Sequence, residues 1–207
     1  LINKTKDKVY VIGPTFGIDD MFIANGYKNV YNDYTLGKNV PDIVIFTGGA
    51  DISPSLYDQK IAPGTYPSLS RDKREVSLWN TYKDKKKIGI CRGAQLLSTL
   101  NGGSMIQDVN CHMMGTHDIT TSDGQVVLAS TVHHQMIIPP KDAEVVAWTK
   151  LATTFRTDRG DTTERPYPVD PEIIWIEKDQ AYCVQGHPEF GPSEFEDFFF
   201  NHVERFL

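Results

Sequence analysis

A single thiol stands at a tight junction in the run Gly89-Ile90-Cys91-Arg92-Gly93-Ala94-Gln95. Lys87 to Ile90 read as the end of a buried strand, and Ala94 to Leu100 as a helix closed by Asn101-Gly102-Gly103. A nucleophile fits such a place: glycines on either side let the backbone turn sharply and a substrate approach, and a helix N-terminus favours thiolate over thiol. The pattern is G-x-C-x-G, with sulfur where the strand-to-helix elbow G-x-S-x-G carries oxygen. The plain alternative is a small buried cysteine ending a core strand. A thiol nucleophile also needs a base, a group that orients the base, and donors for the oxyanion. Gly186-His187-Pro188-Glu189 follows directly on the apolar stretch Tyr182 to Gln185, so His187 projects from a strand's carboxyl end. Glu189 has the reach to accept the other imidazole N–H and complete a Cys/His/carboxylate triad. Thr47-Gly48-Gly49-Ala50-Asp51 ends another apolar stretch, and there the Gly49 N–H can join the Arg92 N–H as an oxyanion hole.

These groups need a scaffold that brings strand ends together. Val9 to Gly13 and Asp42 to Gly49 read as central parallel strands, with a short helix from Asp19 to Asn25 and a short strand Asn29 to Asn32 between them. That is the β-α-β spacing of an open α/β sheet. Asp72 with Glu75 suggests a helix start, Val76, Leu78, Trp79 and Tyr82 its apolar face, and Lys83 to Lys87 its solvated end. The second half reads as strands separated by turns, at Val126 to Ala129, Glu144 to Trp148, Glu172 to Ile176 and Ala181 to Gln185, which predicts added antiparallel strands. Ser193 and Glu196 suggest a capping box before a final helix whose Phe195, Phe198, Phe199, Val203 and Phe206 face a core. Residues 155–171, rich in Asp, Arg, Thr and Pro, form the one long polar excursion.

The chain of 207 residues, 40% apolar and 23% charged, can bury a sizeable core. Its formal charge of −6 gives no footprint for wrapping nucleic acid. Cys91, Cys111 and Cys183 are an odd set without framework spacing, which favours reduced thiols. No apolar run approaches the roughly 20 residues of a membrane span, and Leu1 to Lys6 lack the apolar core of a signal peptide, so a cytoplasmic protein is expected.

T-G-G-A-D at 47–51, G-I-C-R-G-A-Q at 89–95, N-G-G at 101–103, H-H-Q at 133–135 and G-H-P-E at 186–189, in this order, resemble the class I glutamine amidotransferase superfamily across nearly the whole chain. Asp51 to Tyr57, Arg71-Asp72 with Glu75, and His133-His134-Gln135 make it most similar to the gamma-glutamyl hydrolase-like branch, which includes the gamma-glutamyl-GABA hydrolases. The resemblance implies one domain over 1–207, built on a flavodoxin-like doubly wound, mostly parallel sheet with helices on both faces. It also implies hydrolysis of a γ-glutamyl amide through a thioester on Cys91, with His187 as base and then acid, Glu189 as its orienter, and Gly49 and Arg92 as oxyanion donors. Gln95 would help hold the glutamyl group, and His133, His134 and Gln135 would line the side that receives its α-amino and α-carboxylate groups. The branch's usual Asn-Ser before x-His-His-Gln is here Ser130-Thr131, and its frequent Trp before the catalytic histidine is Gly186, so the pocket wall departs from the pattern.

Two enzyme readings follow: a glutaminase that hands ammonia to a separate synthetase or ligase, towards which the reading leans, and a freestanding hydrolase of a γ-glutamyl conjugate. A third reading is a non-catalytic binding or redox-sensing domain. Cys111-His112 and His117, spaced C-H-x4-H, offer three metal ligands, but no second cysteine pair accompanies them and the similar proteins need no metal. No metal and no cofactor are therefore expected; His117 is placed near the active-site mouth and Cys183 in the packing. Arg71, Asp72, Arg74 and Glu75 read as a solvated helix start, or alternatively as a place from which Arg71 or Asp72 reaches over the pocket.

Overall fold

Alternating apolar residues split the central strands between two faces, and the computed structural model, which describes residues 2–113 and 115–207, shows both faces covered. Leu1 and Met114 lie outside the described residues. In chain order the elements are β1 Lys8–Ile12, α1 Ile18–Ala24, β2 Asn29–Asn32, β3 Ile43–Phe46, α2 Leu69–Thr81, β4 Lys86–Ile90 and α3 Arg92–Leu100. There follow β5 Ser104–Ile106, β6 Asp108–Val109, β7 Gly115–Thr121, β8 Val126–Thr131, β9 Met136–Ile138, β10 Glu144–Thr149, β11 Phe155–Thr157, β12 Gly160–Thr162, β13 Asp170–Ile176, β14 Ala181–Val184 and α4 Ser193–Phe206. Val9, Val11, Ile43, Ile45, Ile88 and Ile90 face α1 and α4. Tyr10, Ile12, Val44 and Phe46 face α3, with Val76, Leu78 and Trp79 of α2 packed alongside. In α4 the rings of Phe195, Phe198, Phe199 and Phe200 are all buried, and each contributes roughly 1.5–3 kcal/mol of apolar transfer that holds the helix on the sheet.

The nine-stranded main sheet runs β2-β1-β3-β4-β14-β13-β10-β7-β8. Its first five strands are mutually parallel, in the doubly wound order of flavodoxin-like sheets, and the last four extend it antiparallel. β4 therefore lies between β3 and β14, so the carboxyl ends of all three, carrying Gly48-Gly49, Cys91 and His187, meet at one edge.

Several local readings are corrected. The 155–171 excursion holds a hairpin, β11–β12, that pairs with β6. The cap of α4 is Pro192 without a side-chain bond, because Glu196 accepts instead from Asn25 Nδ2 at 2.7 Å and Glu194 from the Leu128 N–H at 3.2 Å. The lysine run is no helix end: α2 stops at Thr81, and Lys87 is buried in β4 with Nζ 2.9 Å from Asp179 Oδ1.

Candidate active site

β4 ends at Ile90 and α3 begins at Arg92, which leaves Cys91 to make the whole turn, at φ 50° and ψ −111°. A β-carbon is strained there, and such strain persists only where the surroundings impose it. The imposing contacts are visible. The Cys91 N–H donates to the Val184 carbonyl of β14 at 2.7 Å, and the side chain makes no capping bond, so the thiol is left for other work. The flanking glycines serve clearance rather than backbone freedom. A Cβ on Gly89 would lie 2.6 Å from the Ala94 nitrogen, and one on Gly93 1.9 Å from the Phe46 carbonyl oxygen, so only glycines let α3 sit this close to β3 and β4. Cys91 is 7% exposed; open clefts lie between Asp58-Gln59 and the β11–β12 hairpin and beside Gly13 and Asn32.

His187 stands beside the thiol. A Cβ placed on Gly48 would come 2.8 Å from His187 Cε1 and 3.6 Å from Cys91 Cβ, so Gly48 packs against both. Nδ1 of His187 is 2.7 Å from Glu189 Oε1, and Phe190 stacks on the ring at a centroid distance of 5.1 Å. Burial opposes charge on this imidazole, but hydrogen bonds to Cys91 and Glu189 outweigh it and raise its pKa to about 10. The backbone is pinned as well: Ser130 Oγ donates to the His187 carbonyl at 2.6 Å and accepts from its N–H at 2.8 Å. At Gly186 a Cβ would lie 2.6 Å from the Ser130 carbonyl oxygen and 3.0 Å from the Phe195 ring, so an indole has no room there. The departures at Ser130 and Gly186 thus belong to one local packing solution.

On the other side, Gly49 adopts φ 134°, and a Cβ there would sit 2.3 Å from Arg71 Nη1. Arg71 donates to the Gly48 carbonyl at 2.8 Å and to the Thr47 carbonyl at 3.0 Å, which fixes the direction of the peptides after β3. Arg92 supplies the first N–H of α3, a group with no intrahelical acceptor. Its side chain is fully buried, and the guanidinium donates to Glu75 Oε2 and to Asp72 Oδ1. The solvated reading is thereby corrected: α2 begins at Leu69, and Asp72 in its first turn and Glu75 one turn on are buried acceptors. Arg71 does reach the Gly48-Gly49 turn.

The remaining site residues divide. Gln95, in the first turn of α3, reaches the Gln135 carbonyl at 3.5 Å, and Gln135 Nε2 donates to the Gln107 carbonyl at 3.2 Å. His134 is partly exposed, with Nε2 3.0 Å from Asp51 Oδ1 and Nδ1 3.3 Å from Asp108 Oδ1. His133 lies buried, its Nδ1 2.9 Å from the Gln135 carbonyl and its Nε2 3.4 Å from Glu172 Oε2. There it joins His112 and His117; His117 is found inside the protein against Glu172 rather than at a mouth. Glu75, Glu172 and the Arg92 side chain are the contributors that the sequence reading missed. Cys183 is wholly buried in β14, which pushes its thiol pKa far up.

Residues 27–154 match the Peptidase C26 family. The chain is 40% identical over 177 residues to protein NtpR of Enterococcus hirae, a match covering 73% of this chain and 68% of NtpR. It is 36% identical over 87 residues to the glutamine amidotransferase-like protein YvdE of Lactococcus lactis, covering 40% of this chain and 35% of YvdE. Among solved structures it resembles a protein from Thermoplasma acidophilum named for a GMP synthase component, with a TM-score of 0.64 at 16% identity over 96% of this chain and 93% of that one. A glutamine amidotransferase from Thermotoga maritima superposes with a TM-score of 0.58 at 17% identity, over 97% and 85% of the two chains. The structures speak for the fold; the family match and the likeness to NtpR go further, and by them this chain belongs to the Peptidase C26 family, of class I glutamine amidotransferase-like proteins.

Proposed function

We propose that the chain hydrolyses the γ-amide of glutamine through a γ-glutamyl thioester on Cys91. The observation that carries this reading is a strained, uncapped cysteine between Gly48-Gly49 and a histidine whose far nitrogen is held by Glu189. The Cys91 sulfur attacks the γ-carbonyl carbon, and the oxyanion so formed accepts from the Gly49 and Arg92 N–H groups. The C–N bond breaks as the His187 imidazolium gives its proton to the amide nitrogen, which leaves as ammonia. Neutral His187 then takes a proton from water, the hydroxide adds to the thioester, and glutamate leaves as the thiolate is restored. Gln95 and Gln135 form one wall for the glutamyl chain, and His134 between Asp51 and Asp108 offers groups for its charged α-end.

The ammonia is handed to a separate synthetase or ligase in this reading, which the glutamine amidotransferase-like name of YvdE supports. The assay is release of ammonia and glutamate from free glutamine, run beside γ-glutamyl-GABA and other γ-glutamyl amines, with Cys91→Ala as the control. Glutamine turnover that disappears in Cys91→Ala, and that rises when a co-purifying synthetase is added, is expected. Fast turnover of a conjugate without any glutaminase activity would replace this reading by the freestanding hydrolase.

A further inference from the structure

Behind the loop that carries His134 and Gln135, four side chains from separate segments converge: His112 before β7, His117 on β7, His133 after β8, and Glu172 on β13. Each is at least nine-tenths buried. His112 Nδ1 and His117 Nε2 lie 3.1 and 3.2 Å from Glu172 Oε1, and His133 Nε2 lies 3.4 Å from Oε2. Yet among the described residues these three nitrogens and both carboxylate oxygens have no hydrogen-bond partner, because the contacts are short without being aligned as N–H···O bonds. A buried carboxylate left this way needs a counter-charge.

The outer nitrogens supply the second clue. His112 Nε2 lies 3.3 Å from Asp170 Oδ2, and Asp170 is itself fixed by the Leu151 and Ala152 N–H groups at 2.8 and 2.9 Å. His133 Nδ1 faces the Gln135 carbonyl at 2.9 Å, an acceptor only, so this nitrogen carries the proton. Donation outward at both rings leaves the lone pairs of His112 Nδ1 and His133 Nε2 turned inward. That is the arrangement by which an outer carboxylate or carbonyl sets a metal-bound imidazole.

We propose that His112, His117, His133 and Glu172 bind one divalent transition-metal ion, of the zinc class. A tetrahedron with ligand bonds of about 2.0–2.1 Å has edges of about 3.3–3.4 Å; His112 Nδ1 and His117 Nε2 stand 3.1 and 3.2 Å from the single oxygen Oε1, while His133 Nε2 faces Oε2 at 3.4 Å, so a small turn of the carboxylate completes the set. The wider span, up to 4.8 Å among the ligand atoms of His112, His133 and Glu172, closes as the ion draws them in. Three imidazoles and a carboxylate suit zinc better than calcium or magnesium, which take mainly oxygen. In the sequence the C-H-x4-H spacing lacks a second cysteine pair and so argues against a metal; the fold sets His133 and Glu172, from distant segments, beside His112 and leaves Cys111 out. By fixing His133, the ion sets the loop that presents His134 and Gln135 to the thiol site.

The test uses the full chain expressed with zinc in the medium. Metal analysis of the purified protein is expected to give about one equivalent of zinc; a chelator lowers the Tm, and zinc chloride restores it. Cobalt(II) added to the stripped protein gives the visible bands of a tetrahedral nitrogen and oxygen site without a thiolate charge-transfer band, and Cys91→Ser gives the same spectrum. Glu172→Gln and His112→Asn lower the zinc content at least about tenfold. Less than about a tenth of an equivalent in the unsubstituted protein, with no cobalt spectrum and no Tm response to zinc, overturns the proposal. Zinc that is lost with Cys91 and kept by Glu172→Gln overturns it too. These readouts do not involve amide hydrolysis, so this proposal and the reading of Cys91 fail separately.

Discussion

Arg71 and Arg92 are held by the two oxygens of one buried carboxylate. Glu75 Oε1 accepts from Arg71 Nε at 2.6 Å, and Oε2 accepts from Arg92 Nη1. Arg71 in turn fixes the Thr47 and Gly48 carbonyls, while Arg92 is the residue that follows Cys91. One side chain of α2 thus ties the turn after β3 to the elbow after β4, and the separation between the two proposed oxyanion donors depends on it.

Glu75→Ala tests that tie. The substitution leaves Arg92 fully buried with Asp72 as its remaining carboxylate, and breaking a buried pair from one side costs about 3–5 kcal/mol. Urea denaturation is expected to show a loss of that size, and amide hydrolysis to fall with it. A loss below about 1 kcal/mol would mean that Asp72 alone compensates Arg92.

The strain at Cys91 is measurable by comparing two variants that both lack the thiol. Cys91→Ala keeps a β-carbon at φ 50°, whereas Cys91→Gly removes it. The glycine variant is expected to be the more stable by about 1 kcal/mol or more in spite of its larger unfolded-state entropy, with both inactive. An alanine variant as stable as the glycine one would show that the elbow holds no strain.

Thiol labelling addresses the same residue without mutation. Iodoacetamide is expected to modify Cys91 before Cys111, and Cys183 last, since Cys183 is fully buried with its thiol pKa pushed up. Peptide mapping after brief exposure gives the order, and first labelling at Cys111 or Cys183 would contradict an activated Cys91.

That Cys91 and His187 come to one edge of the sheet, with Glu189 within reach of the ring, is legible in the sequence because the apolar runs of β4 and β14 each stop at a turn, a signal that survives without tertiary information. The Arg71–Glu75 network is not, because Arg and Glu at i and i+4 look the same on a solvated helix as on one packed against Arg92. His133 and His134 are adjacent in a loop, where no periodicity says which ring turns inward; Glu172, on another strand, makes that choice visible. The β11–β12 hairpin is hidden by its polar composition, since its pairing partner β6 lies far back in the chain.

The pH dependence follows from His187. Its pKa rises from 6.5 to about 10, burial opposing and the bonds to Cys91 and Glu189 prevailing. A raised pKa gives stability that is complete below 6.5 and is lost as the pH climbs through about 10, so the Tm is expected to fall across that interval. In the proposed reaction the imidazolium also protonates the leaving nitrogen, so kcat/KM for amide hydrolysis should fall along an alkaline limb near pH 10. Glu189→Gln removes one of the supporting charges, which moves the limb to lower pH and reduces kcat about 10²-fold or more. A wild-type limb near neutrality, unmoved by Glu189→Gln, would remove His187 from the acid role.

Gly48→Ala separates placement of the imidazole from stability of the fold. The added methyl comes within 2.8 Å of His187 Cε1 and 3.6 Å of Nε2, too near for the ring to stay where it is. Glu189 and the stacked Phe190 resist its retreat, while the Gly48 backbone, unlike that of Gly49, is outside the positive-φ set and accepts a β-carbon. A displacement of this order in the proposed base costs about 10²-fold in rate, and the overpacking about 1–3 kcal/mol of stability, so kcat should fall by about that factor in protein that is still fully folded at the assay temperature. Because Gly48 makes no charge and donates no side-chain bond, such a loss has no electrostatic explanation. Full activity in Gly48→Ala would show that His187 is free to work from another position, and the geometry on which the proposed chemistry stands would have to be given up.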